Sequence, residues 1–276
     1  MKVKCHICKN ISNNLTKLKS VSLHFCNGCK HRFTDVKTII NPEKYKPEYF
    51  SSTHSNWFEN PDYVLYKNLT EFFKKKFKRK FSILDIGCGN GNFLKYLSKN
   101  IKEVSLTGID HHKNKKHQRI NFLQGNIEKN KKLKKYDVVT SNMVIEHIED
   151  VNKFILIQKK LCKKNGYIIN NTINESSLLY KIARIMNKFY ISKPMEMLYD
   201  KHHLNHFSVN SLVRLYKRNK LSNLKIELSQ FNIHALTLPS KNFFIKNIFK
   251  FLILCIYLIE KIFRNTNQQT IICKNN

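Results

Sequence analysis

The alternation of apolar and polar positions divides the chain into a polar head bearing paired cysteines, an aromatic-rich connector, and a long stretch in which strands and helices take turns. Helical periodicity runs from Tyr63 to Phe77 through Tyr66, Leu69, Phe72 and Phe73, which predicts a helix able to pack on a sheet. Phe81 to Leu84 is a short apolar run ended by Asp85, and an amphipathic helix begins at Asn92. Val104 to Asp110 predicts a second strand, Asn121 to Ile127 a third strand with the loop behind it, and Asp137 to Thr140 a fourth. The segment between Asp110 and Asn121 is short and basic, so its helix should be abbreviated. Leu161 to Asn170 reads as a turn and fifth strand, Val209 to Arg218 as a helix, Lys225 to Phe231 as a sixth strand and Thr270 to Cys273 as a seventh. Alternating βα units in this order imply a doubly wound α/β sheet with right-handed crossovers.

Within that frame, Asp85-Ile-Gly-Cys-Gly-Asn-Gly91 carries the most chemistry. Gly87, Gly89 and Gly91 follow an apolar run and precede a helix, the arrangement with which α/β sheets hold nucleotide-like ligands at their carboxyl edge. The spacing is not the dinucleotide G-x-G-x-x-G. Asp110 ends the next strand, about 20 residues on, where a carboxylate can accept hydrogen bonds from both ribose hydroxyls; the plainer role is a helix cap.

The head contains Cys5-His-Ile-Cys8 and Cys26-Asn-Gly-Cys29. Two C-x-x-C pairs can complete a tetrahedral Zn2+ site, closed and therefore structural. Leu15 to Lys19 and Ser22 to Phe25 can form the hairpin of a zinc ribbon over residues 1–40. His6, His24 and His31 lie nearby as surplus ligands. A disulfide pair is the alternative, which the lack of an apolar core in Met1-Lys-Val-Lys-Cys5 argues against, since it leaves no secretory signal and points to the cytoplasm. Cys88, Cys162, Cys255 and Cys273 sit singly in or beside apolar stretches and read as small buried hydrophobes.

Composition changes this picture little. The 276 residues suit one substantial α/β domain with a small appendage, and the formal charge of +31 invites a nucleic-acid or anionic-membrane partner. Lysine is spread along almost every segment, however, and only seven of the 50 basic residues are arginine, so the charge reads chiefly as a solvated surface. Phe243 to Phe263 is apolar, but its unbroken run from Phe251 to Ile259 falls short of the ~20 residues that span a bilayer. It reads as a buried or dimer-forming helix, as a lid over the substrate, or as an interfacial helix making peripheral membrane contact, the last in keeping with the flanking Lys246, Lys250 and Lys261.

The Asp-x-Gly-x-Gly-x-Gly loop resembles the first motif of class I S-adenosylmethionine (SAM) dependent methyltransferases. Tyr136 to Asp150, with Glu146-His147 after the strand and an acidic residue three positions later, resembles the same family's fourth-strand motif. The resemblance implies a Rossmann-like seven-stranded sheet over 81–276, preceded by a connector and helix over 41–80. It implies SAM held by Asp85, Gly87, Cys88, Gly89 and Gly91 on one wall, by Asp110 at the ribose, by Asn126 and Ile127 at the adenine, and by Asn142 and Met143 at the methionine end. Methyltransferases of this class often carry an acidic residue at the position of Asn126. Residues 172–208 lie beyond the shared core as a substrate-facing insertion, and 243–264 as an apolar helix.

For a hydroxyl or carbon acceptor a proton must leave, and His147 is the first candidate base, with Glu146 orienting it and His203 second. In many family members the equivalent His only packs against the cofactor. The resemblance to sugar-modifying methyltransferases implies a sugar or glycan-precursor acceptor methylated on oxygen or carbon. The alternatives are an rRNA methyltransferase with a zinc module, since guanine-N1 enzymes share that layout, and a non-catalytic zinc-ribbon interaction protein.

Overall fold

The computed structural model describes residues 3–12, 14–39, 58–130, 133–236 and 242–276. The connector expected from Asn41 to Trp57 lies outside the described residues. In chain order the strands are β1 (Val3–Lys4), β2 (Ile11–Ser12), β3 (Asn14–Lys17), β4 (Ser22–Cys26), β5 (His31–Thr34), β6 (Phe81–Ile86), β7 (Val104–Asp110), β8 (Ile120–Gln124), β9 (Tyr136–Asn142), β10 (Cys162–Ile173), β11 (Asn205–His206), β12 (Leu224–Ser229) and β13 (Gln268–Lys274). The α-helices are α1 (Tyr63–Lys76), α2 (Asn92–Asn100), α3 (Val151–Leu161), α4 (Leu178–Lys188), α5 (Lys193–Leu198), α6 (Val209–Arg218) and α7 (Phe243–Ile262).

Seven strands form the central sheet in the order β12-β13-β10-β9-β6-β7-β8. The pairs from β10 to β8 are parallel, and β13 runs antiparallel to both its neighbours. The chain therefore starts its sheet at β6, moves outward to β8 and returns to β9 on the other side of β6. That reversal opens a crevice at the carboxyl ends of β6 and β9, where open α/β sheets bind their ligands. β6 is buried along its whole length, Ser82 and Asp85 included, as its place in the middle of a parallel sheet requires.

Local chemistry explains the helix that closes one face. Asp62 caps α1 by accepting from the Leu65 N–H at 2.9 Å. Leu65, Leu69 and Phe73 fall on one side and are buried, each contributing about 1.5–3 kcal/mol by leaving water. Phe77 then stacks on Phe81, ring centroids 4.3 Å apart, and so joins the helix end to the first sheet strand.

The cysteine-bearing head contains the expected hairpin, with Thr16 opposite Leu23. Its sheet is larger than the ribbon read from the sequence. β5 pairs with β4 on one side and on the other with β11, Asn205 opposite Phe33 and His206 opposite Arg32. A two-residue strand from well beyond the head in sequence thus completes the head's sheet, and no periodicity signals a strand that short. Leu204 binds both parts: its N–H donates to the Glu146 carbonyl at 2.7 Å and its carbonyl accepts from the Thr34 N–H at 3.0 Å. Asn205 reinforces the join, donating to the Ile148 carbonyl at 2.6 Å and placing Oδ1 3.0 Å from His6 Nδ1 and 3.2 Å from His31 Nε2.

The Asn205→Ala variant would strip buried partners from Ile148, His6 and His31 together. Chemical denaturation should show a loss of about 1–3 kcal/mol relative to the native chain; an unchanged midpoint would mean that the join carries no stability.

Candidate cofactor and acceptor site

The glycine loop leaves β6 at the crevice. Gly87 has φ +70°, and a Cβ there would lie 2.4 Å from Val144 Cγ2; Gly89 has φ +52°, and a Cβ would meet the Phe58 ring at 2.9 Å. Only glycine keeps this backbone unstrained and open to a ligand. Asp85 stands behind the loop, 2% exposed, and accepts from Thr140 Oγ1 at 2.8 Å across β6 and β9. Burial pushes its carboxyl up to about 7 against the lowering effect of that hydrogen bond. Cys88 behaves differently from its neighbours. Its sulfur would sit 2.8 Å from a Cβ on Gly108, so the side chain packs beneath β7, and burial raises the thiol's pKa. Gly91 has φ +78° and occupies the N-cap of α2.

Asp110 ends β7 at the same edge. Its Oδ2 accepts from the Gly89 N–H and its Oδ1 from the His112 N–H, each at 2.8 Å. These two bonds fix the carboxylate against the glycine loop and leave each oxygen further lone-pair capacity. No helix follows Asp110 over residues 111–119, so it is not a helix cap. Asn126 Oδ1 accepts from the Glu128 N–H at 2.8 Å, a local turn that orients the amide and leaves its oxygen a second lone pair. Ile127 lines the cavity beside it.

At the end of β9, both side-chain polar atoms of Asn142 are buried without a hydrogen-bond partner in the structure. An unmatched buried polar atom costs about 1–3 kcal/mol. Met143 follows with φ +55°, strained for a non-glycine residue, while its N–H donates to the Asn171 carbonyl at 2.9 Å. A polar ligand would satisfy the orphaned amide beside the glycine loop, and this fits the amino-acid end of SAM.

Glu146, His147 and His203 come together although 56 residues separate the last two in sequence. Their ligating atoms lie within 4.8 Å of one another, and the two imidazole rings meet edge to face at 4.8 Å. His147 Nδ1 lies 2.9 Å from the His202 carbonyl, which can only accept, so this nitrogen carries the proton and Nε2 the lone pair of the neutral ring. Glu146 is fully buried, accepts from Thr172 Oγ1 at 2.9 Å, and burial pushes its carboxyl up to about 7. Thr34 Oγ1 donates to the His203 carbonyl at 2.7 Å, so the head braces this corner directly.

One cavity of about 1350 Å³ joins these groups. Gly87, Asp110, Asn126, Ile127 and Asn142 lie along it, as do His147 and His203; its outer wall is apolar, built by Leu179, Ile182 and Met186 of α4, Met197 of α5, and Phe249 and Ile253 of α7. The expected insertion over 172–208 accordingly supplies α4 and α5 to the wall. A smaller recess beside it is lined by Asp85, Cys88 and Asn142, and also by Phe58, Asp62, Tyr66, Asn171 and Gln268. Sequence reasoning had not found those last five. Phe58, Asp62 and Tyr66 precede the sheet, whereas Asn171 and Gln268 belong to strands whose motif residues lie elsewhere.

In the head, the Cys5 and Cys29 sulfurs are 3.5 Å apart and those of Cys8 and Cys26 3.4 Å apart, and all four sulfurs lie within 4.8 Å of one another. These separations exceed a disulfide bond and approach the ~3.8 Å sulfur spacing of tetrahedral thiolate Zn2+ coordination. The donor set fits a metal.

Residues 57–226 match the family model described as a methyltransferase domain. The ubiquinone biosynthesis O-methyltransferase of Pelagibacter ubique is 28% identical over 218 residues, covering 69% of this chain and 89% of that protein. Its counterpart from Rickettsia typhi is 30% identical over 172 residues, covering 55% of this chain and 69% of that protein. Among solved structures, the plantazolicin methyltransferase BpumL in complex with a triazolic desmethylPZN analog and SAH superposes with a TM-score of 0.54 at 22% identity, over 83% of this chain and 91% of that one. This likeness speaks for the fold. With the glycine loop, Asp110 and the fourth-strand motif gathered on one crevice, the chain belongs to the class I SAM-dependent methyltransferases.

Proposed function

We propose that the chain transfers the methyl group of SAM to a hydroxyl oxygen of a small acceptor with an apolar portion. SAM, when bound, supplies a methyl group already activated by its sulfonium charge. Asp85, Asn142 and Met143 would hold its methionine end, Gly87, Gly89 and Gly91 would admit it closely, and Asp110 would accept from its ribose, with Asn126 and Ile127 beside the adenine. His147 takes the acceptor's proton on Nε2, Glu146 stands behind it, and His203 closes the polar corner.

The observation that carries this reading is the Nδ1 bond of His147 to the His202 carbonyl, which fixes the tautomer with its basic nitrogen on Nε2. O-methylation is favoured by the printed names of the Pelagibacter and Rickettsia relatives. The apolar outer wall favours an acceptor with a hydrocarbon portion over a free sugar or an RNA base; a glycan precursor fits if its hydroxyl sits near an apolar carrier. Cys5, Cys8, Cys26 and Cys29 are assigned to a structural Zn2+, which would cross-link the head without an open coordination position.

Calorimetry should record SAM binding to the native chain, weakened about tenfold or more in Asp110→Ala through loss of charged-group hydrogen bonds; undetectable SAM binding by the native chain would defeat the reading. For His147→Gln, turnover of a hydroxylated acceptor should fall by roughly 10²–10⁴ with the SAM dissociation constant unchanged. Equal loss of SAM affinity would instead make His147 a packing residue. Metal analysis should find one Zn2+ per native chain and none in Cys26→Ser/Cys29→Ser, whose melting temperature should drop; a metal-free native chain of equal stability would remove the zinc assignment.

A further inference from the structure

We propose that α7 docks the protein on an anionic lipid surface, with the acceptor cavity opening toward the lipid. α7 packs inward through Phe249, Ile253, Tyr257 and Glu260, which recur at helical spacing. Its opposite stripe, Phe244, Ile248, Phe251, Leu258 and Ile262, is between 60% and 76% exposed. Such a continuous apolar stripe on a 20-residue helix exceeds the scattered apolar residues of an ordinary surface. Among the described residues no helix is long and apolar enough to cross a membrane, so the stripe suits a helix lying in the interface plane.

Charge selects the occupant. Lys246, Lys250, Lys261 and Arg264 lie on or just beyond α7, and its one acidic residue, Glu260, is 1% exposed and accepts from the Leu179 N–H at 2.9 Å. The surface of the helix therefore carries an exposed apolar stripe, and the only charges it exposes are cationic. A second copy would bring a like-charged edge against it, whereas anionic headgroups complement it. The turn joining α4 to α5 repeats the pattern: Phe189, Tyr190 and Ile191 are exposed, Tyr190 at 96%, between Lys188 and Lys193.

The same helix forms the rim of the cavity. Leu252 and Ile259 are 49% and 41% exposed yet also line the cavity. An amphiphilic acceptor could pass along this edge from lipid to the polar corner at His147. That direction of entry rests on the methyl-transfer reading; the docking itself does not.

Vesicle co-sedimentation of the full chain, without SAM, tests the docking. The chain should pellet with phosphatidylcholine vesicles containing phosphatidylglycerol about tenfold or more better than with phosphatidylcholine alone, and added salt should weaken the binding. Phe251→Glu/Leu258→Glu, both outside the cavity, should lose the binding about tenfold or more while keeping native SAH affinity as a check of folding. A native chain that stays in the supernatant overturns the proposal. So does a variant that pellets like the native chain, or a lipid-free native dimer that the variant dissociates, which would give the stripe to a second copy. Failure of SAM binding with vesicle binding intact would strike the methyl-transfer reading alone.

Discussion

The Leu204 peptide group is the constraint on which the site depends. Its N–H holds the Glu146 carbonyl and its carbonyl holds the Thr34 N–H, so one backbone unit joins the methyl end of the crevice to the cysteine-bearing head. On either side of it, His203 enters the polar corner and Asn205 enters the head's sheet. The head therefore acts as a buttress for the loop that carries His203, a residue of the proposed site. Thr34 repeats the logic with a second bond to the His203 carbonyl. Fixing such a loop from two sides restricts the positions of its side chains before any ligand arrives, which is what proton transfer requires.

Among the described residues, some of the buried polar groups that the fold leaves unmatched lie at the crevice. Asn142 and one oxygen of Glu146 are buried without a partner, and Asp85 and Glu146 both have carboxyl pKa values raised to about 7 by burial. A sheet built only for stability would have satisfied or excluded these groups. They cluster at the reversal between β6 and β9, next to a strained Met143 and a glycine loop that admits no Cβ. Apolar helices then cover the outer side, so the cavity changes from polar to apolar along its length.

Much of this was legible in the sequence because it depends on local pattern. All seven sheet strands and α1 follow from periodicity, the glycine loop and Asp110 from motif spacing, and the Glu146-His147 pair from the family resemblance. What was illegible depends on contacts between distant segments. Nothing at Asn205 or His206 signals a strand, because two residues carry no period. Nothing at Asn171 or Gln268 signals a place beside the crevice, because an amide within a strand reads equally as a satisfied core group. Cys88 sits within the motif yet turns its side chain under Gly108, a choice made by packing. Asn126 is oriented by a bond within its own turn, which composition cannot reveal. The apolar segment from Phe243 was recognisable as a helix, but which of its faces stayed uncovered was decided by the placement of α4.

The most direct test of methyl transfer to a small amphiphilic hydroxyl compound is to follow the methyl group itself. The native chain would be incubated with methyl-labelled SAM and a bacterial extract, then separated into lipid-soluble, aqueous small-molecule, RNA and protein fractions. The expected result is label in the lipid-soluble fraction, with SAH formed in equal amount and the label released by ether cleavage. Label confined to RNA or protein, or no SAH formed with any fraction, would contradict it.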